Sequence, residues 1–88
     1  MTKAALNQMT VLLAKSCVPV RVNAVAPGLV ETPWTKDWQK QHDAVKAVTP
    51  LHRSATMEDC VQAPLGLLRT KYTTGQIFVV DGGLTLVL

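Results

Sequence analysis

The run Gln76-Ile77-Phe78-Val79-Val80 is the tightest constraint on how this chain can fold. Its unbroken apolar character suits a strand covered on both faces, as in a parallel sheet. Asp81-Gly82-Gly83 then turns it off. A second run, Val20-Arg21-Val22-Asn23-Ala24-Val25, is rich in β-branched residues and closes at Pro27-Gly28. Helical patterns fill the interval, so the two strands can share a sheet only in parallel, through a right-handed crossover. A two-stranded parallel sheet this apolar needs neighbours on at least one edge. The expectation is an α/β chain that forms a piece of a larger doubly wound sheet.

Around the strands, Thr2 to Lys15 carries Leu6, Met9 and Leu13 on one helical face, with Ala5 and Leu12 beside them, until Pro19 stops the helix. Thr32-Pro33 has the form of a helix start, a hydroxyl cap followed by proline at the first helical position. Trp34, Trp38, Val45 and Val48 would line that helix, with His42 on the same side, and Pro50 would end it. Thr56-Met57-Glu58-Asp59 resembles a capping box with Asp in place of Glu and predicts a helix from about Met57 to Arg69. Cys60, Val61, Leu65, Leu67 and Leu68 are its apolar surface. Pro64 in its interior removes a hydrogen bond, costs on the order of 3 kcal/mol and predicts a kink or early break. The order is helix, strand, helix, helix, strand, tail. Eighty-eight residues make one domain at most.

Several function classes drop out early. Nine basic residues against six acidic give +3, but the cations are spread from Lys3 to Lys71. A nucleic-acid surface needs them clustered, with aromatics interleaved. Cys17 and Cys60 are too few and too separated for a metal site, and two reduced core thiols are expected. His42 and His52 have no ligand constellation around them and read as surface or satisfied histidines. No basic segment leads into an apolar run, and no stretch approaches the roughly eighteen apolar residues of a membrane span. A soluble, cytoplasmic protein is expected.

Four segments, TKAALNQMTVLLA, VRVNAVAPGLVETPW, PLHRSATMEDC and YTTGQIFVVDGG, resemble in order and spacing the C-terminal portion of short-chain dehydrogenases/reductases. The resemblance implies a Rossmann-type, doubly wound parallel sheet of seven strands. Residues 1–88 would be a single partial domain, the last two strands plus three helices. It also implies NAD or NADP as cofactor, and hydride transfer between nicotinamide and a small-molecule alcohol or carbonyl. The family's glycine-rich phosphate turn, its catalytic serine and the tyrosine of its Y-x-x-x-K pair have no match in these 88 residues. The tyrosine would fall two positions before Met1.

Lys3 matches the lysine of that pair. By resemblance its ammonium binds the ribose hydroxyls of the cofactor and lowers the pKa of the tyrosine one helical turn away. Without that tyrosine it reads as a solvated lysine in a first helical turn. Pro27 and Gly28 match residues that wall one face of the nicotinamide. The backbone at Val30 and the hydroxyl of Thr32 match the groups that bind its carboxamide. Thr32 also reads as a plain helix cap, and the two roles are compatible, because a cap leaves the hydroxyl proton free. Trp34 and Trp38 fall in the family's variable, substrate-covering segment, although aromatics at this spacing more often pack. Ala55 replaces a common family glycine and would be strained if its φ were positive. Tyr72 reads as a packing residue and Asp81 as a turn cap.

Two functions follow from different classes. One is the nicotinamide-dependent oxidoreductase. The other is a truncated, catalytically silent interaction module that oligomerises with itself or with a complementary subunit of the same family. It would do so through the apolar face of the first helix and the free edge of Val20–Val25.

Overall fold

The computed structural model describes residues 3–87, and of Lys3 only the backbone. Helix α1 (Lys3–Ser16) leads to strand β1 (Ala24–Pro27), then helices α2 (Gln39–Val48) and α3 (Met57–Arg69), strand β2 (Ile77–Val80) and a short 3-10 turn at Leu84–Leu86. The two strands are parallel, with Ala24 opposite Ile77 and Pro27 opposite Val80. This is the α/β order that the sequence predicts.

Strand β1 begins later than its β-branched run suggests. Arg21 and Asn23 interrupt that run, and the Asn23 side chain bonds to the backbone leading into β2. Its amide nitrogen donates to the Thr73 carbonyl (3.1 Å), and its oxygen accepts from the Gln76 amide (3.0 Å). The amides of Ala24 and Gly28 point at β2, reaching the carbonyls of Gln76 and Val80 at 2.9 Å each. Pro27 therefore falls where its missing N–H faces the open edge of β1.

Helix α3 matches its predicted span. The capping box is present: Thr56 Oγ1 accepts from the Asp59 amide (3.2 Å), and Asp59 Oδ2 accepts from the Thr56 amide (2.8 Å). Both guanidinium nitrogens of Arg53 reach the same carboxylate, at 2.6 and 3.3 Å. Hydrogen bonding from Arg53, and then from the Thr56 backbone, holds the Asp59 carboxyl well below the usual carboxylate range. The expected break at Pro64 does not occur. Pro64 lies exposed, and the helix is secured at both ends. At its C-terminus Arg21 Nη1 donates to the carbonyls of Leu67 (2.9 Å) and Thr70 (3.0 Å), while Nη2 donates to Leu68 (3.1 Å). One guanidinium thus satisfies carbonyls that a helix end leaves without intrahelical partners.

Helix α2 starts at Gln39, six residues after the predicted proline. Thr32 Oγ1 accepts from the Thr35 amide (3.2 Å), so it caps a single turn and no α-helix. Trp34 and Trp38 precede α2 and are exposed, and the stripe predicted from them does not form. His42 is the buried residue of this helix.

Helix α1 is rotated about its axis from the orientation predicted to pack, so that the row beside the leucine stripe faces inward. Thr10 and Ala14 are buried, while Leu6, Leu12 and Leu13 keep 45%, 52% and 42% of their surface exposed. Close approach explains the choice: a Cβ built on Gly75 would meet the Ala14 methyl at 3.4 Å. A small residue fits against that backbone where a leucine would not. Phe78 and Val79 of β2 are also exposed, so the double-sided cover expected of this strand is absent among the described residues. Tyr72, expected to pack, is fully exposed in the turn before β2. Ala55 escapes the anticipated strain; the left-handed residue of this link is His52, at φ 56. Cys17 and Cys60 are free and half-buried.

Candidate functional site

Pro27, Gly28, Val30 and Thr32 close and follow the carboxyl end of β1, beside the turn after β2 and the link before α3. β1 runs out through Pro27 into Gly28. A Cβ on Gly28 would lie 3.0 Å from that of Asp81, so only glycine permits this approach of the two strand ends. Asp81 organises the turn after β2: Oδ1 accepts from the Gly83 amide (2.9 Å) and Oδ2 from the Thr85 amide (3.1 Å). Burial raises the Asp81 carboxyl, but hydrogen bonds from Gly83 and Thr85 outweigh it and leave the group below its ordinary value.

Beyond Gly28 the chain pairs with the link that precedes α3. Val30 bridges Ala55 in parallel. The Ala55 amide donates to the Leu29 carbonyl (2.9 Å), and the Glu31 amide donates to the Ala55 carbonyl (2.8 Å). That pattern turns the Val30 N–H away from the bridge, and it has no hydrogen-bond partner among the described residues. The Val30 carbonyl accepts from Thr35 Oγ1 at 2.6 Å. Thr35 Oγ1 in turn accepts from the Thr32 amide at 3.0 Å. Because the Thr35 proton goes to Val30, Thr32 is the donor in the 3.4 Å contact between the two hydroxyls, a long bond that its proton can exchange for a better acceptor.

His42 braces this loop from α2. Its Nε2 lies 3.0 Å from the Thr35 carbonyl and its Nδ1 lies 2.6 Å from Ser54 Oγ. The sequence leaves a surface or a satisfied histidine open at this position, and His42 is buried and satisfied. Thr35 and Ser54 are the members of the loop that sequence reasoning misses. The repeat of threonine three residues after Thr32 is the available signal for the first. Nothing local marks the second.

Pro27 and Gly28 line a groove of about 380 Å³ that includes Asn7, Val25 and Asp81. Thr32 lines another, of about 370 Å³, with Glu31, Lys36, Gln39, His42 and Lys46. Val30 lies between them in the chain. Lys3 is the first residue of α1, and its side chain lies outside the described residues. Among the described residues no three metal-ligating side chains come together, and no helix is long and apolar enough to cross a membrane. The arrangement offers one unspent amide donor and one hydroxyl beside an apolar proline–glycine wall.

Residues 1–85 match the family described as enoyl-(acyl carrier protein) reductase. A protein of Streptomyces violaceoruber named as ketoacyl reductase 2 of the granaticin polyketide synthase is 53% identical over 78 residues, covering 84% of this chain and 31% of the relative. Human 3-oxoacyl-[acyl-carrier-protein] reductase is 45% identical over 69 residues, 78% of this chain and 28% of that protein. The chain therefore spans about a third of the length of the relatives it matches. Among solved structures, a small-chain dehydrogenase in complex with NADPH superposes with a TM-score of 0.88 at 33% identity, over 94% of this chain and 40% of that one. A short-chain dehydrogenase/reductase of the glucose/ribitol dehydrogenase type from Brucella melitensis gives 0.84 at 31% identity, over 93% and 35%.

Proposed function

The chain belongs to the short-chain dehydrogenase/reductase family, and from that membership we propose that it serves hydride transfer between NAD or NADP and a carbonyl or alcohol substrate. The names of the relatives favour a carbonyl of the 3-oxoacyl type. One observation carries the reading for this chain. The unpartnered Val30 N–H follows Pro27-Gly28 at the carboxyl end of a parallel strand, where open α/β sheets bind their ligands.

In this reading Pro27 and Gly28 form the wall against one face of the nicotinamide. The Val30 N–H donates to the carboxamide oxygen, and the Thr32 hydroxyl makes the second carboxamide contact. Lys3 holds the ribose hydroxyls and favours the phenolate of a tyrosine four residues before it, since that spacing places both side chains on one helix face. The bound nicotinamide supplies the hydride donor or acceptor. The lysine's role is electrostatic and the loop's is to orient the ring.

The test is titration of the chain with NADPH and NADH, followed by fluorescence of Trp34 and Trp38. Saturable quenching that Thr32→Val weakens about tenfold, the scale of one lost hydrogen bond in a partly buried site, is the expected result. Binding of neither cofactor, or binding indifferent to Thr32→Val, would overturn the loop's assignment. The in-frame coding DNA upstream offers an independent check: a tyrosine codon two positions before Met1 and a glycine-rich turn further back should be found.

The second reading, a catalytically silent module acting through oligomerisation, is favoured by the exposed Leu6, Leu12 and Leu13 of α1. Sedimentation separates the two: stable self-association without cofactor binding supports the module.

A further inference from the structure

Resting on the nicotinamide reading of the loop, we propose that His42, oriented by Ser54, is a positioning residue that holds Val30–Thr35 in the shape presenting the Val30 amide and the Thr32 hydroxyl to the cofactor. His42 is 7% exposed and Ser54 2%. A carbonyl oxygen can only accept, so the His42 proton resides on Nε2 and points at Thr35. Nδ1 then carries a lone pair, and the Ser54 hydroxyl must donate to it. The two contacts have opposite polarity. A ring flipped by half a turn would set C–H groups against both partners, so Ser54 fixes which way the imidazole faces.

Thr35 is the node through which the ring acts. Its carbonyl accepts both the Trp38 amide (3.0 Å) and His42 Nε2. Its hydroxyl fastens the Val30 carbonyl and receives the Thr32 amide. A line of bonds thus runs from the link before α3, across α2, into the two residues assigned to the carboxamide. An apolar side chain at position 42 could fill the same space. It would leave the Ser54 hydroxyl and one Thr35 acceptor site buried without partners, and the loop would relax to find others.

The test compares His42→Gln, His42→Asn and Ser54→Ala with the parent chain, without cofactor, by amide hydrogen exchange. Glutamine places its amide nitrogen near the position of Nε2 and can still donate to Thr35, whereas asparagine reaches only the position of Nδ1. His42→Asn and Ser54→Ala are expected to speed exchange of the Thr32 and Thr35 amides by about tenfold while Ala24, in the sheet ladder, is unchanged. His42→Gln should stay within about threefold of the parent. Equal exchange in all four proteins, or acceleration of Ala24 alongside the loop, would overturn the proposal. So would loss of protection in His42→Gln equal to that in His42→Asn. If His42→Asn does not fold, Ser54→Ala leaves α2 untouched and decides the question. NADPH titration of the same set should show about tenfold weaker binding for the loosened variants. No binding by the parent would sink the nicotinamide reading, while the exchange comparison would still judge the role of His42.

Discussion

Thr49 ends α2 fully buried, and its hydroxyl has no hydrogen-bond partner among the described residues. Its methyl is held in place from the other side, since a Cβ on Gly82 would meet Thr49 Cγ2 at 2.8 Å. The shape of this side chain is needed and its oxygen is not. Thr49→Val keeps the shape and removes a desolvated polar group, so the melting temperature should rise by several degrees, on the scale of about 1 kcal/mol. A fall in Tm would mean that the hydroxyl has found a partner. Gly82→Ala should act the other way, because Gly82 sits at φ 65 against that same methyl. At this scale the sequence was legible where chemistry is local. Asp59 and Thr56 stand three residues apart and announce their cap, while Pro27, Gly28, Val30 and Thr32 enter the candidate site by resemblance alone. Ser54 and His42, twelve residues apart on different segments, carry no pattern that would join them.

Among the elements, α3 shows why a helix with an internal proline survives. Its N-terminus has a double-ended cap and its C-terminus has Arg21 from across the chain. Arg21→Ala should destabilise by roughly 2 kcal/mol in urea titration with an unchanged slope, as for lost hydrogen bonds to a charged group. Arg21→Lys should recover less than half of that, since one ammonium cannot span the four carbonyls that the guanidinium reaches, those of Leu67, Leu68, Thr70 and Thr73. The cap also sets an acid limit. Asp59 has a depressed carboxyl pKa, so its stabilisation is complete above the unfolded value of about 4 and declines as pH falls below it. Asp59→Asn should flatten that decline, and an acid titration of helicity by circular dichroism would read it. Helix α2 was misplaced because a hydroxyl followed by proline marks the start of any αR turn, and here Thr32 opens just one. Helix α1 was rotated because its packing face is chosen by Gly75, which is sixty-one residues from Ala14.

Taken whole, the molecule exposes more than its mass warrants. Its accessible surface is 6525 Å², against about 5,000 Å² for a compact monomer of 9.5 kDa. The radius of gyration, 14.7 Å, exceeds the roughly 12 Å expected for a compact chain of this length. The excess of about 1,500 Å² is of the order that protein interfaces bury. Much of it is apolar, along Leu6, Leu12 and Leu13 and over Phe78 and Val79. The chain should therefore self-associate at micromolar concentration. Leu12→Glu with Leu13→Glu should shift sedimentation toward the monomer, and a parent chain that sediments as a stable monomer would contradict this.

The position of Pro27 has a bearing on any strand laid along the open side of β1. Such a neighbour would find an N–H at Val25 to bond and none at Pro27, so the ladder on that side loses a donor at its last residue and keeps only the Pro27 carbonyl. The visiting backbone is free to peel away there, at the mouth where Gly28 and Asp81 meet. A missing hydrogen atom thus works as a stop on a zip. A gap opened there would lie at the end where the candidate site is.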